Sequence, residues 1–171
     1  LEFFPDYIKQ GYYPFGTEGF ALYHQRVENI VDMLLNIELP QLRSVDIGNI
    51  RKIKALLAII STEVPMLVDI TKLATLTGIA RTTILAYLQY LHEAKLIRLL
   101  YSDDLSVKKM QKPDKILMEN TNLLQALSLQ VPNIGTLRES FFCHQLGYTH
   151  HVAYTKRGAY PIVFQYVSVI G

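Results

Sequence analysis

The chain is predicted to be α+β and mainly helical, and three observations carry this. Apolar residues recur at helical spacing in several separated stretches. Strand-like runs are short and lie after residue 95. Between Asp69 and Tyr101 the order reads helix, glycine turn, amphipathic helix, strand, which is the outline of a winged helix-turn-helix. That unit is expected over residues 47–118. An N-terminal helical segment, residues 1–46, and a small C-terminal α/β module, residues 119–171, are expected to flank it.

The elements follow in chain order. Phe3-Phe4-Pro5 through Tyr12-Tyr13-Pro14-Phe15 is an aromatic entry, followed by a long helix with a seam of Tyr23, Val27, Ile30 and Leu34. Asn49 can cap the next helix, in which Ile53, Leu56, Leu57 and Ile60 form the apolar stripe and Pro65 blocks continuation. Asp69 is the expected N-cap of a third helix carrying Ile70, Leu73 and Ala74, and Gly78 its left-handed stop. In the fourth, Ile84, Tyr87, Leu88 and Leu91 share one face, and Thr82, Ala86, Gln89 and Glu93 the other. Leu96 to Tyr101 and Ile116 to Met118 read as strands, Asn122 to Leu129 and Thr136 to Leu146 as helices, and Val152 to Val169 as strand material.

Size and charge narrow the functional classes. A chain of 171 residues can bury a substantial core without disulfides, and its one cysteine, Cys143, cannot form an internal bridge. The longest apolar runs are too short to span a bilayer, so no membrane partner is expected, and the cysteine usage favours a reducing cytoplasm. The net charge of +2 is uneven. Residues 1–40 hold two basic against six acidic groups, whereas residues 41–115 hold twelve against seven. The positive excess thus coincides with the winged-helix segment, as attraction to phosphate would require. Candidate nucleic-acid contacts are Arg81, Thr82, Thr83 and Gln89 on the second amphipathic helix, with Lys108, Lys109, Lys112 and Lys115 in the wing. Only Arg81 is basic within that helix, so a solvated face used for protein docking remains an open alternative.

Taken in order, Gly11-Tyr12-Tyr13-Pro14-Phe15, Thr82-Thr83-Ile84 with Tyr87-Leu88 and Leu91-His92-Glu93, Leu96-Ile97, Lys112-Pro113-Asp114-Lys115-Ile116 and Gly135-Thr136-Leu137-Arg138-Glu139-Ser140-Phe141-Phe142 carry a family likeness. The chain resembles the C-terminal half of a large prokaryotic group of AAA-type ATPases. In that group a P-loop core precedes a winged helix and then a small domain similar to the restriction-endonuclease fold. The resemblance implies a fragment, with which Leu1 in place of an initiator methionine agrees. It also implies that the ATPase core is a partner, with double-stranded DNA and a second copy of the chain as further candidates. No Gly-x-x-x-x-Gly-Lys-[Ser/Thr] run is present, so ATP and magnesium are expected in the parent protein only and this fragment is expected not to be an enzyme.

The nuclease-like resemblance places Glu139 where such domains carry a helix-borne glutamate that helps hold a divalent cation. A second carboxylate should follow Tyr154, yet residues 159–171 contain no acidic residue. A two-carboxylate site therefore cannot be assembled from the tail, and Glu139 is expected to serve a helix start or a salt bridge. A degenerate nuclease fold, an early stop and a reading-frame change are three explanations of this tail. Glu119 is expected at a helix entry beside Asn120 and Thr121. His150 and His151 point to opposite sides of a strand, His24, His92 and His144 read as surface or partly buried, and Cys143 as a packed hydrophobe. Three functions follow as expectations: a DNA-binding or docking module of an ATPase, a degenerate nuclease-like module serving protein interaction, and a free-standing winged-helix transcription regulator.

Overall fold

The computed structural model describes residues 3–19, 21–43, 45, 47–102, 112–149, 151–157 and 160–167. It is an α+β, mainly helical structure. Through Glu63 the described elements are all helical: α1 (Phe4–Gln10), a 3-10 turn (Pro14–Glu18), α2 (Tyr23–Met33), a π turn (Leu34–Glu38), α3 (Leu39–Arg43) and α4 (Ile47–Glu63). Then follow β1 (Met66–Leu67), α5 (Ile70–Thr77), α6 (Arg81–Glu93), β2 (Ile97–Leu100) and β3 (Lys115–Met118). Helices α7 (Thr121–Leu127) and α8 (Ile134–Leu146) lead to a hairpin of β4 (His151–Arg157) and β5 (Tyr160–Val167).

The local signals explain most of these boundaries. Asp69 Oδ1 accepts from the backbone N–H groups of Thr71 and Lys72 at 2.9 and 3.0 Å, satisfying two orphan donors of α5. Gly78 ends that helix at φ 65°, the left-handed conformation that a Cβ disfavours. Asn120 and Asn133 cap α7 and α8 in the same way as Asp69. The stripe Ile84, Tyr87, Leu88 and Leu91 is buried as its spacing requires. So are Ile53, Leu56, Leu57 and Ile60 on α4.

Two helical expectations need correction. The α2 seam is Tyr23, Val27, Val31 and Leu35, while Ile30 is 41% exposed. Steps of four residues drift around a helix, and this slanted ridge is the one that packs across neighbours. Asn49 is not a cap, because α4 already begins at Ile47.

The three-stranded sheet is antiparallel with order β1-β3-β2. Met66 lies opposite Ile116, and Ile97, Arg98, Leu99 and Leu100 lie opposite Met118, Leu117, Ile116 and Lys115. Alternation along the strands sorts their side chains into two faces. Ile97, Leu99, Ile116 and Met118 join the main core with the α2 seam and helices α4 to α7. Leu100 and Leu117 point the other way and meet Cys143 of α8 and Tyr154 of β4. Arg98 and Lys115 have the parity of this second face, so they are carried under α8 rather than to solvent. The β4-β5 hairpin joins at the edge, where Tyr154 N donates to Tyr101 O at 2.8 Å.

Candidate functional site

The predicted surface contacts divide. Arg81, Thr82, Gln89 and Lys112 are exposed, Thr83 is half-buried, and Lys108 and Lys109 lie outside the described residues. Gln89 is not free, since its Nε2 donates to Glu93 Oε1 at 3.0 Å. Arg81 and Lys112 come near the start of α5. The Asp69 carboxyl is held below the usual carboxylate range by the backbone N–H of Lys72 first, then by that of Thr71 and by the charges of Lys112 and Arg81. Lys115 departs from the expected wing cluster, because it is buried and its ammonium pairs with the Glu139 carboxylate on α8. The salt-bridge role expected for Glu139 is thereby present. The Glu139 carboxylate is neutralised by this buried lysine.

A second cluster went unrecognised in the sequence. Arg98 on β2 pairs with Glu119, at the exit of β3, through Nη2 and Oε1 at 2.5 Å, and both side chains are largely buried. His144 of α8, expected at the surface or partly buried, is 2% exposed, and its Nδ1 lies 3.6 Å from the same Glu119 oxygen. Burial pushes the Glu119 carboxyl up, but His144 and the Arg98 guanidinium outweigh it and leave the group below its ordinary value. Among the described residues, Arg98 Nε, Glu119 Oε2, Ser140 Oγ and both His144 ring nitrogens are buried without a hydrogen-bond partner. Such groups are uncommon because each forfeits its interaction with water. Gly147 permits the arrangement, since a Cβ there would come within 1.5 Å of Arg98 Nη1.

The N-terminal aromatic segment closes over this cluster. The rings of Tyr12 and Tyr148 each meet His144 in a T-shaped contact, with centroids 4.7 and 4.9 Å away, and their hydroxyls hydrogen-bond at 2.6 Å. Burial, together with the Tyr148 hydroxyl, pushes the Tyr12 phenol up. Asn122, fully buried at the start of α7, holds the segment down. Its Oδ1 accepts from Tyr12 N at 2.8 Å and Tyr23 OH at 2.5 Å, and its Nδ2 donates to Ile8 O at 2.8 Å. Phe4 and Tyr7 meet Phe141 of α8 edge-on. The only sequence signals for this construction were a charge inside the strand Ile97–Leu100 and the polar run Glu119-Asn120-Thr121-Asn122 after an apolar strand.

The other reactive residues are quiet. His24 Nε2 lies 3.2 Å from Lys9 O, and His92 Nδ1 lies 3.1 Å from Ile97 O. Cys143 is a buried free thiol whose ionisation burial pushes up. Among the described residues no group of three His, Cys, Asp or Glu side chains converges as metal ligands, and no helix is long and apolar enough to cross a membrane.

A domain of unknown function, DUF8612, matches residues 1–133. The chain belongs to the DUF8612 family. No curated protein and no solved structure matches it. The DUF8612 match includes the aromatic segment, Arg98, Glu119 and Asn122, and it ends before α8, which supplies Glu139 and His144.

Proposed function

We propose that this DUF8612 chain is the non-catalytic C-terminal region of an AAA-type ATPase, with residues 47–118 forming a winged helix that docks on double-stranded DNA through α6. The observation that carries the docking is the two-sidedness of α6: Ile84, Tyr87, Leu88 and Leu91 are buried while Arg81 and Thr82 stand in solvent. The chain order α4-β1-α5-α6-β2-β3, with β1 paired to β3, supports the winged-helix assignment. Arg81 at the first turn of α6 and Lys112 beside Asp69 bring cations to one end of the exposed face. In this reading phosphate contacts position the module, and Thr82, Thr83 and Gln89 face the groove, Gln89 after exchanging its Glu93 partner. Lys108 and Lys109, which lie outside the described residues, are the remaining phosphate contacts of this reading.

ATP and magnesium belong to the parent's P-loop core, in a cytoplasmic protein. That core and a second copy of the chain are its protein partners. The residues 119–171 serve as a degenerate nuclease-like module for protein interaction. The Lys115–Glu139 pair favours this reading, because it spends the one helix-borne carboxylate on structure.

The test is anisotropy of a labelled DNA duplex between 50 and 200 mM salt. Four phosphate contacts predict a loss of affinity of roughly 150-fold over that range, following a salt slope of about −0.9 per contact. Arg81→Ala and the pair Lys108→Glu, Lys109→Glu should each weaken binding and flatten the slope. Absence of binding at the lower salt would end the DNA reading, and magnesium-dependent cleavage of DNA would end the non-catalytic one.

A further inference from the structure

Segments far apart in the chain meet at a cleft of about 260 Å³ beside the Arg98–Glu119 pair. Tyr12 comes from the N-terminal segment, Lys95 from the α6-β2 turn, Arg98 from β2, Glu119 from the exit of β3 and Tyr148 from the residues after α8. This volume is just under the ~300 Å³ at which small-ligand pockets begin. Its chemistry is divided into three parts. Tyr148 meets His144 in a T-shaped contact and stays 66% exposed, so its ring is accessible to solvent. Lys95 is exposed at the rim and enters no ion pair among the described residues. At the floor Glu119 gives Oε1 to Arg98, while the buried Oε2 has no hydrogen-bond partner among the described residues. A buried carboxylate oxygen in that condition lacks a donor.

One kind of molecule answers all three features: a flat ring for Tyr148, an N–H donor for Glu119 and an anion for Lys95. The geometry points to a binding site for a free nucleoside monophosphate whose base carries an exocyclic amine. The base stacks on Tyr148, as nucleobases do on exposed aromatic rings. Its amine donates to Glu119, the contact by which carboxylates select cytosine. Its phosphate reaches Lys95. Uracil presents a carbonyl where cytosine has its amine, and a carbonyl facing a carboxylate is repelled. The site shares no residue with the exposed face of α6, so it stands or falls independently of DNA docking.

Calorimetric titration of the whole chain with cytidine monophosphate, uridine monophosphate, cytidine and inorganic phosphate tests the proposal. Cytidine monophosphate should bind at least tenfold more tightly than each of the other three. Lys95 sits at φ 57°, a conformation asparagine tolerates better than lysine, so Lys95→Asn removes the cation while sparing the fold. That variant should melt no lower than the parent and lose at least tenfold in affinity for cytidine monophosphate, whereas Arg81→Ala should change nothing. Equal binding of the cytidine and uridine nucleotides, equal binding of phosphate alone, an unaffected Lys95→Asn, or no saturation by ~10 mM nucleotide would each overturn it.

Discussion

Glu119 is balanced between burial, which penalises its charge, and Arg98 with His144, which reward it. Its carboxyl is depressed below the ordinary value of 4.5, so the stability it contributes is fully present above that value and disappears as pH falls through the lower, folded one. The melting temperature should therefore stay flat from pH 7 to 5 and decline below about pH 4.5. Glu119→Leu strands the Arg98 guanidinium inside the protein and should cost roughly 3 kcal/mol at pH 7 in urea unfolding, because an unpaired buried charge is the expensive outcome. Adding Arg98→Met should restore most of that loss, since the desolvated pair is worth little against apolar side chains of similar size. Arg98 was legible only as a charge in an apolar strand. Which group neutralises it depends on a helix entry 21 residues downstream.

The helices and turns were the legible level. Capping by Asp69, the stop at Gly78 and the stripes of α4 and α6 are local, since each depends on groups within about one helical turn. Gly78 permits a clean measurement. A Cβ at this position would meet nothing within 4 Å, so Gly78→Ala changes only the backbone preference at φ 65°. Thermal or urea unfolding should show a loss of about 1 kcal/mol. Lys95→Gly is the mirror experiment, because Lys95 already bears the left-handed strain, and it should gain up to ~1 kcal/mol. The α2 seam was misread for a different reason. Both i+3 and i+4 rows satisfy a helical period, and the choice between them belongs to the partner the helix crosses.

At the scale of the molecule, the aromatic segment near the start of the chain is fastened to α7 and to Tyr148 just past α8, more than 100 residues away. Asn122 makes that connection with both ends of its amide. Asn122→Ala would leave Tyr12 N, Tyr23 OH and Ile8 O without this partner, at an expected cost of about 2–4 kcal/mol. Limited proteolysis should then cut at Lys9 sooner than in the parent chain, while circular dichroism in the helical region stays close to it. Unchanged cleavage at Lys9 would argue that Asn122 does not anchor the segment. One buried cluster runs from Tyr23 through α4, α5 and α6 to Leu124, so urea should unfold these parts in a single transition.

The two levels of information separate along a physical line. Periodicity, caps and glycine stops were readable because they arise from neighbours along the chain, and they delivered the helical order and the α6 stripe. The pairing of β1 with β3 was missed because two residues carry no period. Arg98 with Glu119, Lys115 with Glu139, His144 against two tyrosines and Asn122 beneath the N-terminal segment were assembled by folding. Strand parity turned Arg98 and Lys115 toward α8, and burial then demanded partners that no spacing in the chain announces.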